Sequence, residues 1–118
     1  MSSFHQLADI PVRNEEIGKL QLLSGDQSMV LWGKIDAGAH IPKHSHPNEQ
    51  ITWLISGRFD YKLETGEEQN CGPGTVLLIP GGVEHEVWYR EDCELVEFFS
   101  PPRTDMFPVS ADNPYGLE

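Results

Sequence analysis

Residues 38–57 read GAHIPKHSHPNEQITWLISG, and the fold can be read outward from them. In the second half, Gln50, Thr52 and Leu54 fall on one side of an extended chain, and Ile51, Trp53 and Ile55 on the other. The β-branched and aromatic residues among them suit a pleated surface, so 50–56 reads as a strand. Gly57 then separates two apolar runs, the place for a tight turn with positive φ. In the first half, His44 and His46 are one residue apart, which projects both imidazoles from the same face. Imidazole ligates zinc, iron, nickel, copper and manganese-like ions. Gln50 adds a carbonyl oxygen at the start of the strand. Glu49 is the alternative oxygen ligand, but alternation points it to the opposite face, so Gln50 is favoured.

On either side the pattern repeats. Further strands are expected at 4–10, 17–23, 28–35, 58–64, 75–79, 84–89 and 94–100. They are separated by turn signals such as Ser24-Gly25-Asp26, Asp36-Ala37-Gly38, Thr65-Gly66-Glu67 and Cys71-Gly72-Pro73-Gly74. No segment sustains an apolar repeat at helical spacing. The expectation is an all-β sandwich or barrel formed by residues 1–100. Residues 101–118 carry Pro101, Pro102, Pro108 and Pro114, and should wrap the surface as an extended tail.

Composition narrows the possible partners. The 118 residues suffice for one domain, and the net charge is −11. Such a surface repels phosphate backbones and anionic headgroups, so neither nucleic acid nor a membrane surface is expected as a partner. An anionic substrate would need local positive charge, from a bound dication or an arginine. Cys71 and Cys93 are too few for a disulfide scaffold and read as small buried hydrophobes. The N-terminus MSSFHQLADIPV lacks the basic and apolar segments of a signal sequence, which makes a cytoplasmic location the default.

A third histidine, His85, follows His46 by 39 residues, just after the Pro80-Gly81-Gly82 turn. Three imidazoles and one amide oxygen fill only part of a coordination sphere, leaving room for water or substrate. In Glu97-Phe98-Phe99-Ser100-Pro101-Pro102-Arg103, strand parity puts Glu97 and Phe99 on one face, and the two prolines stiffen the path to Arg103. The three side chains read either as a strand end with a surface Arg or as a site. In the second reading they are a carboxylate acid/base, an aromatic wall and a carboxylate-binding cation. His40 shares the parity of His44, although Pro42 interrupts the strand, and is expected in a supporting or exposed position. Glu84 and Glu86 read as surface charges, and Trp32, Trp53 and Trp88 as core or interface residues. His5 is given no role.

The two histidine segments resemble the two cupin motifs, G-x5-H-x-H-x3-E-x6-G and G-x5-P-x-G-x2-H-x3-N. Gly38, His44, His46, Gln50 and Gly57 fall in register with the first, and Gly74, Pro80, Gly82 and His85 with the second. The departures are Gln50 at the Glu position and Tyr89 at the Asn position. The resemblance implies a jelly-roll barrel holding one divalent transition metal (Zn, Ni, Mn or Fe) on His44, His46, Gln50 and His85, and a homodimer paired through N-terminal strands and an outer sheet face. Over roughly 38–107 the chain is similar to the small cupins of the pectin-degradation (KdgF-like) type, in His44-Ser45-His46-Pro47, Glu49-Gln50, His85, Glu97, Phe99 and Arg103. Glu97 stands where those cupins have Asp. That similarity implies isomerase or lyase chemistry on a small carboxylated substrate, the ring opening of a 4,5-unsaturated monouronate. Glu97 would move the proton, Phe99 form a wall and Arg103 pair with the carboxylate. An iron-dependent dioxygenase and a non-catalytic binding protein are the competing readings.

Overall fold

The computed structural model describes residues 2–117. Among these it has ten strands: β1 Arg13–Glu15, β2 Gly18–Ser24, β3 Met29–Ile35, β4 His40–His44, β5 Glu49–Ser56, β6 Phe59–Leu63, β7 Glu68–Cys71, β8 Val76–Ile79, β9 His85–Tyr89 and β10 Cys93–Ser100. They form two antiparallel sheets, one ordered β1-β2-β3-β10-β5-β8 and the other β4-β9-β6-β7. The all-β expectation holds, as a jelly roll.

Strict alternation builds the core. On β2, β3, β6 and β9 every second residue is buried. Leu22, Leu31, Leu54 and Leu95 of the larger sheet meet Phe59, Val87 and Tyr89 of the smaller one. Each fully buried side chain of this kind is worth about 1.5–3 kcal/mol of transfer free energy. The last strand, β10, is inserted between β3 and β5, so Glu97 lies opposite both Leu31 and Thr52, and Phe99 opposite both Met29 and Gln50. A contact between sequence-distant strands thus becomes a neighbour relation on one inward face. Gly57 has φ +89°, and a Cβ there would lie 2.3 Å from the Asp92 carbonyl oxygen, so the hairpin needs glycine at that position.

Four segments differ from expectation. Residues 4–10 are not a strand: Leu7–Asp9 form a 3-10 turn. Only Ile10 is buried there, so no alternating face rewards pairing, and Gln21 Nε2 instead caps the carbonyls of Leu7 and Ile10. β4 escapes a propensity reading because Pro42 interrupts it, and β7 because Glu68, Gln69 and Asn70 are exposed polar residues on a sheet edge. The segment after Ser100 is more than a surface wrap. Phe107 and Val109 sit in the core, and the Arg13 guanidinium lies 4.9 Å over the Phe107 ring. Cys71 and Cys93 are free and buried. No helix of the described residues is long and apolar enough to cross a membrane.

Candidate functional site

His44 closes β4, and His85 opens β9 directly across from it. The register of β4 shifts between Ile41 and His44, around Pro42, which cannot donate to the ladder. That irregularity breaks the parity between His40 and His44. His40 faces outward, with Nε2 2.6 Å from Glu86 Oε2 and its ring stacked on Trp88, while His44 turns into the barrel. His46 lies in the link to β5, fixed by the Pro80-Gly81-Gly82 turn. The Gly82 N–H donates to the His46 carbonyl at 2.8 Å, and a Cβ on Gly81 would meet the Pro47 carbonyl oxygen at 2.3 Å. Glycine therefore lets the two motifs touch.

Ligand atoms of His44, His46 and His85 lie within 4.8 Å of one another. Each ring sets its Nδ1 against a backbone carbonyl: Pro42 at 2.8 Å, Asn48 at 3.0 Å and Val83 at 2.9 Å. Nδ1–H donation to those oxygens leaves every Nε2 with its lone pair free, the tautomer that metal-ligating histidines use. Burial pushes the His85 pKa down to about 4, and burial together with Arg103 lowers that of His46, so both rings are held neutral. Among the described residues His85 Nε2 is buried without a hydrogen-bond partner. The Gln50 amide is pinned from behind, its Nε2 donating to Thr52 Oγ1 at 2.9 Å and to Glu97 Oε2 at 2.8 Å. This turns Oε1 toward the imidazoles, 3.0 Å from His46 Nε2. With His46 Nδ1–H given to Asn48, two acceptors face each other there. A cation between them removes the conflict and gives His85 Nε2 a partner, so the donor set fits a divalent metal.

Beside this cluster the barrel encloses a cavity of about 200 Å³. Leu20, Leu31, Ile41 and Val87 form apolar walls, and His44, Gln50, His85, Glu97 and Arg103 supply polar groups. Glu97 is partly open to this cavity, and burial raises its pKa against the opposing effect of Thr52, Arg103 and Gln50. Both Thr52 Oγ1 and Gln50 Nε2 donate to Glu97 Oε2, and no hydrogen bond among the described residues engages Oε1. Arg103 is buried with its guanidinium 5.3 Å from the Phe99 ring centroid. A larger cleft of about 410 Å³ lies on the outer face of β5 and β10, with Glu49 its only ionisable lining residue. Glu49 is exposed and on the face opposite Gln50, outside the imidazole cluster. None of Trp32, Trp53 and Trp88 lines the inner cavity.

The structure thus brings together His44, His46, Gln50, His85, Glu97, Phe99 and Arg103. Sequence reasoning passed over Thr52 and Tyr61. Thr52 shares the inward parity of Gln50, which was the available signal. Tyr61 lines the cavity 3.4 Å from Gln50 Nε2, and burial raises its phenol pKa so that it stays protonated.

The Gln50–Glu97 hydrogen bond yields a prediction. Gln50→Glu should retain metal, because an anionic oxygen of equal reach replaces Oε1. It should also impair any chemistry that needs Glu97, since two carboxylates would then face each other with no N–H between them. Metal content and activity, measured on the same preparation, should separate. A folded but metal-free Gln50→Glu protein would count against Gln50 as a ligand.

The cupin domain profile matches residues 31–99. Among solved structures, KdgF from Halomonas sp. superposes with a TM-score of 0.76 at 29% identity, covering 89% of this chain and 100% of that one. An RmlC-like cupin from Shewanella frigidimarina gives a TM-score of 0.81 at 23% identity over 90% of this chain and 96% of its own, a likeness of fold. Among curated proteins, an L-ectoine synthase from Mycobacteroides abscessus is 32% identical over 72 residues, 59% of this chain and 55% of that protein. The dimethylsulfoniopropionate lyase DddQ of Ruegeria pomeroyi is 33% identical over 49 residues, 42% of this chain and 24% of that protein. The matches therefore span about half and about a quarter of these two relatives. With the domain profile covering more than half of its length, the chain belongs to the cupin family.

Proposed function

We propose that this cupin is a metal-dependent enzyme that opens the ring of a small unsaturated uronate. His44, His46, Gln50 and His85 would hold one divalent ion, zinc, nickel, manganese or iron. When bound, such an ion supplies a Lewis acid beside the cavity. The observation that carries the proposal is Glu97. Its carboxylate lies at the cavity wall with Oε2 tied to Thr52 and Gln50, which leaves Oε1 for a substrate proton. Burial raises its pKa above the ordinary carboxylate value, which favours the protonated form and suits a group that takes up a proton and gives it back. Ring opening of a 4,5-unsaturated uronate needs such a shuttle. A proton leaves the anomeric hydroxyl, the C1–O5 bond breaks to give an aldehyde and the C5 enolate, and a proton arriving at C4 turns the enolate into the ketone. The atoms balance without an oxidant. Arg103 would pair with the substrate carboxylate and Phe99 would back the guanidinium.

The names of the relatives support only the coarser reading, a cupin enzyme acting on a small molecule. They are a lyase acting on dimethylsulfoniopropionate, an ectoine synthase and, at 18% identity and by fold alone, an oxalate decarboxylase of Bacillus subtilis. The test is incubation of the metal-loaded protein with a 4,5-unsaturated monouronate under anaerobic conditions, followed by loss of the conjugated C4=C5 ultraviolet absorbance. Turnover without oxygen is expected, also with redox-inert Zn²⁺. Oxygen uptake in proportion to product would overturn the isomerase reading in favour of a dioxygenase.

We also propose that two copies pair through the outer face of the larger sheet. Register aligns Leu23, Val30, Phe98, Ile51 and Leu78 across five strands, with Trp32, Val96, Trp53 and Val76 in the next row. Trp53, Val76, Leu78 and Phe98 are among the exposed hydrophobics. A mainly apolar patch, with Glu49 at its edge, complements its own copy across a two-fold axis, whereas charge of one sign resists association elsewhere on this acidic chain. Sedimentation should give a dimer for the parent protein and a monomer for Trp53→Lys. A parent monomer at micromolar concentration would contradict the pairing.

A further inference from the structure

Arg103 lies on an irregular segment after the last strand, where no sheet ladder aims its side chain. Its backbone N–H donates to Met29 Sδ at 3.2 Å and its carbonyl accepts from the N–H groups of Met106 and Phe107, and contacts from Asp105 and Asn48 constrain it further. Arg103 donates from Nε to Asp105 Oδ1 and from Nη2 to Asp105 Oδ2, both at 2.9 Å. Arg103 lines the cavity, but Asp105 does not and is exposed to solvent. The side-on edge of the guanidinium is therefore spent outside the cavity, and the end-on edge carrying Nη1 remains for a ligand. The backbone leading to Arg103 is held as well. Pro101 and Pro102 have no N–H, so their carbonyls are the groups through which that turn can be tied down. Asn48 supplies the tie, with Nδ2 donating to Pro101 O at 2.6 Å and Pro102 O at 3.2 Å. Asn48 is buried, and its own carbonyl faces His46 Nδ1 at 3.0 Å. One residue thus bridges the imidazole cluster and the segment that carries the cation.

We infer that Asp105 and Asn48 are positioning residues that fix Arg103 to read a substrate carboxylate through its end-on edge. This rests on the proposed uronate reading for its ligand, but not for its geometry. Substrates whose carboxylate would have to take the side-on edge are disfavoured, because Asp105 already occupies it. Asp105 also lowers the net positive charge offered to the cavity, so the guanidinium acts mainly through direction.

The test uses the full-length, metal-loaded protein and its Asp105→Ala, Asp105→Asn, Asn48→Ala and Arg103→Ala variants. For the unsaturated monouronate, Asp105→Ala should raise KM by about tenfold with kcat changed much less, the signature of lost binding orientation. Asp105→Asn, which keeps one acceptor, should fall between Asp105→Ala and the parent. In an Arg103→Ala background, Asp105→Ala should add nothing, since its effect acts through Arg103. Trypsin cleavage after Arg103 gives a readout independent of the substrate. It should be slow in the parent, where Arg103 is 7% exposed, and faster by about tenfold or more in Asp105→Ala and Asn48→Ala. Unchanged KM and unchanged cleavage in Asp105→Ala would overturn the inference while leaving the uronate reading intact. Absence of uronate turnover by the parent, with accelerated cleavage in the variants, would overturn the substrate and sustain the positioning. Equal effects of Asp105→Ala with and without Arg103 would show a merely structural role and also overturn it.

Discussion

Glu97→Gln is expected to lower kcat for ring opening by about 10²–10⁴-fold with KM nearly held. The substitution is nearly isosteric, and the hydrogen bonds explain why it should be clean. Glu97 Oε2 accepts from Gln50 Nε2 and Thr52 Oγ1, and a Gln amide can turn its oxygen to the same two donors. Its NH₂ then occupies the place of Oε1, at the cavity, where it can donate but cannot take up a proton and return it. The amide of Gln50 stays pinned, so metal content should be unchanged. Stability should not fall, because a carboxyl whose pKa is raised by burial is replaced by a neutral group. Steady-state kinetics, elemental analysis and thermal unfolding check the three statements separately. A variant with parental kcat would remove Glu97 from the chemistry.

The second large effect is expected at His85. His85→Ala should reduce metal content at least about tenfold, because the substitution deletes one donor of a small set and the remaining groups are neutral. The barrel should still fold. His85 sits 2% exposed among Tyr61, His44 and His46, but it touches a cavity that already exists, and among the described residues its ring hydrogen-bonds only to the Val83 carbonyl. The loss is on the order of 1–3 kcal/mol, within what the two-sheet core tolerates. Elemental analysis with circular dichroism distinguishes this from unfolding. Full metal loading in a folded His85→Ala protein would dismantle the proposed ligand set.

Much of this site could be read from spacing alone, for a physical reason. Strand geometry has period two, so the inward face of β5 (Gln50, Thr52, Leu54), that of β9 (His85, Val87, Tyr89) and the pairing of Glu97 with Phe99 follow from parity once strands are assigned. Gly81 and Gly82 likewise mark where the second histidine segment can approach the first. Parity fails where the ladder is interrupted. His40 and His44 share parity but face opposite ways, because the register slips at Pro42. The turn at Leu7–Asp9 was misread as strand because apolar residues were present without a face to bury them on. The polar partners of the site were hardest to read. Asp105 pairs with Arg103 two residues away on an irregular segment, and Asn48 meets Pro101 and Pro102 across more than fifty positions. No periodicity links such residues. Only the insertion of β10 between β3 and β5, and the exit from it, brings them together.

The metal site on His44, His46, Gln50 and His85 is tested by an anomalous difference map from crystals of the metal-loaded protein, recorded on both sides of the absorption edge of the ion found by elemental analysis. One peak per chain is expected, within bonding distance of Nε2 of His44, His46 and His85 and of Oε1 of Gln50, beside the Glu97 carboxylate. A peak bound through Nδ1, a peak that excludes Gln50 in favour of Glu49 or Glu97, or no peak at the imidazole cluster would contradict it.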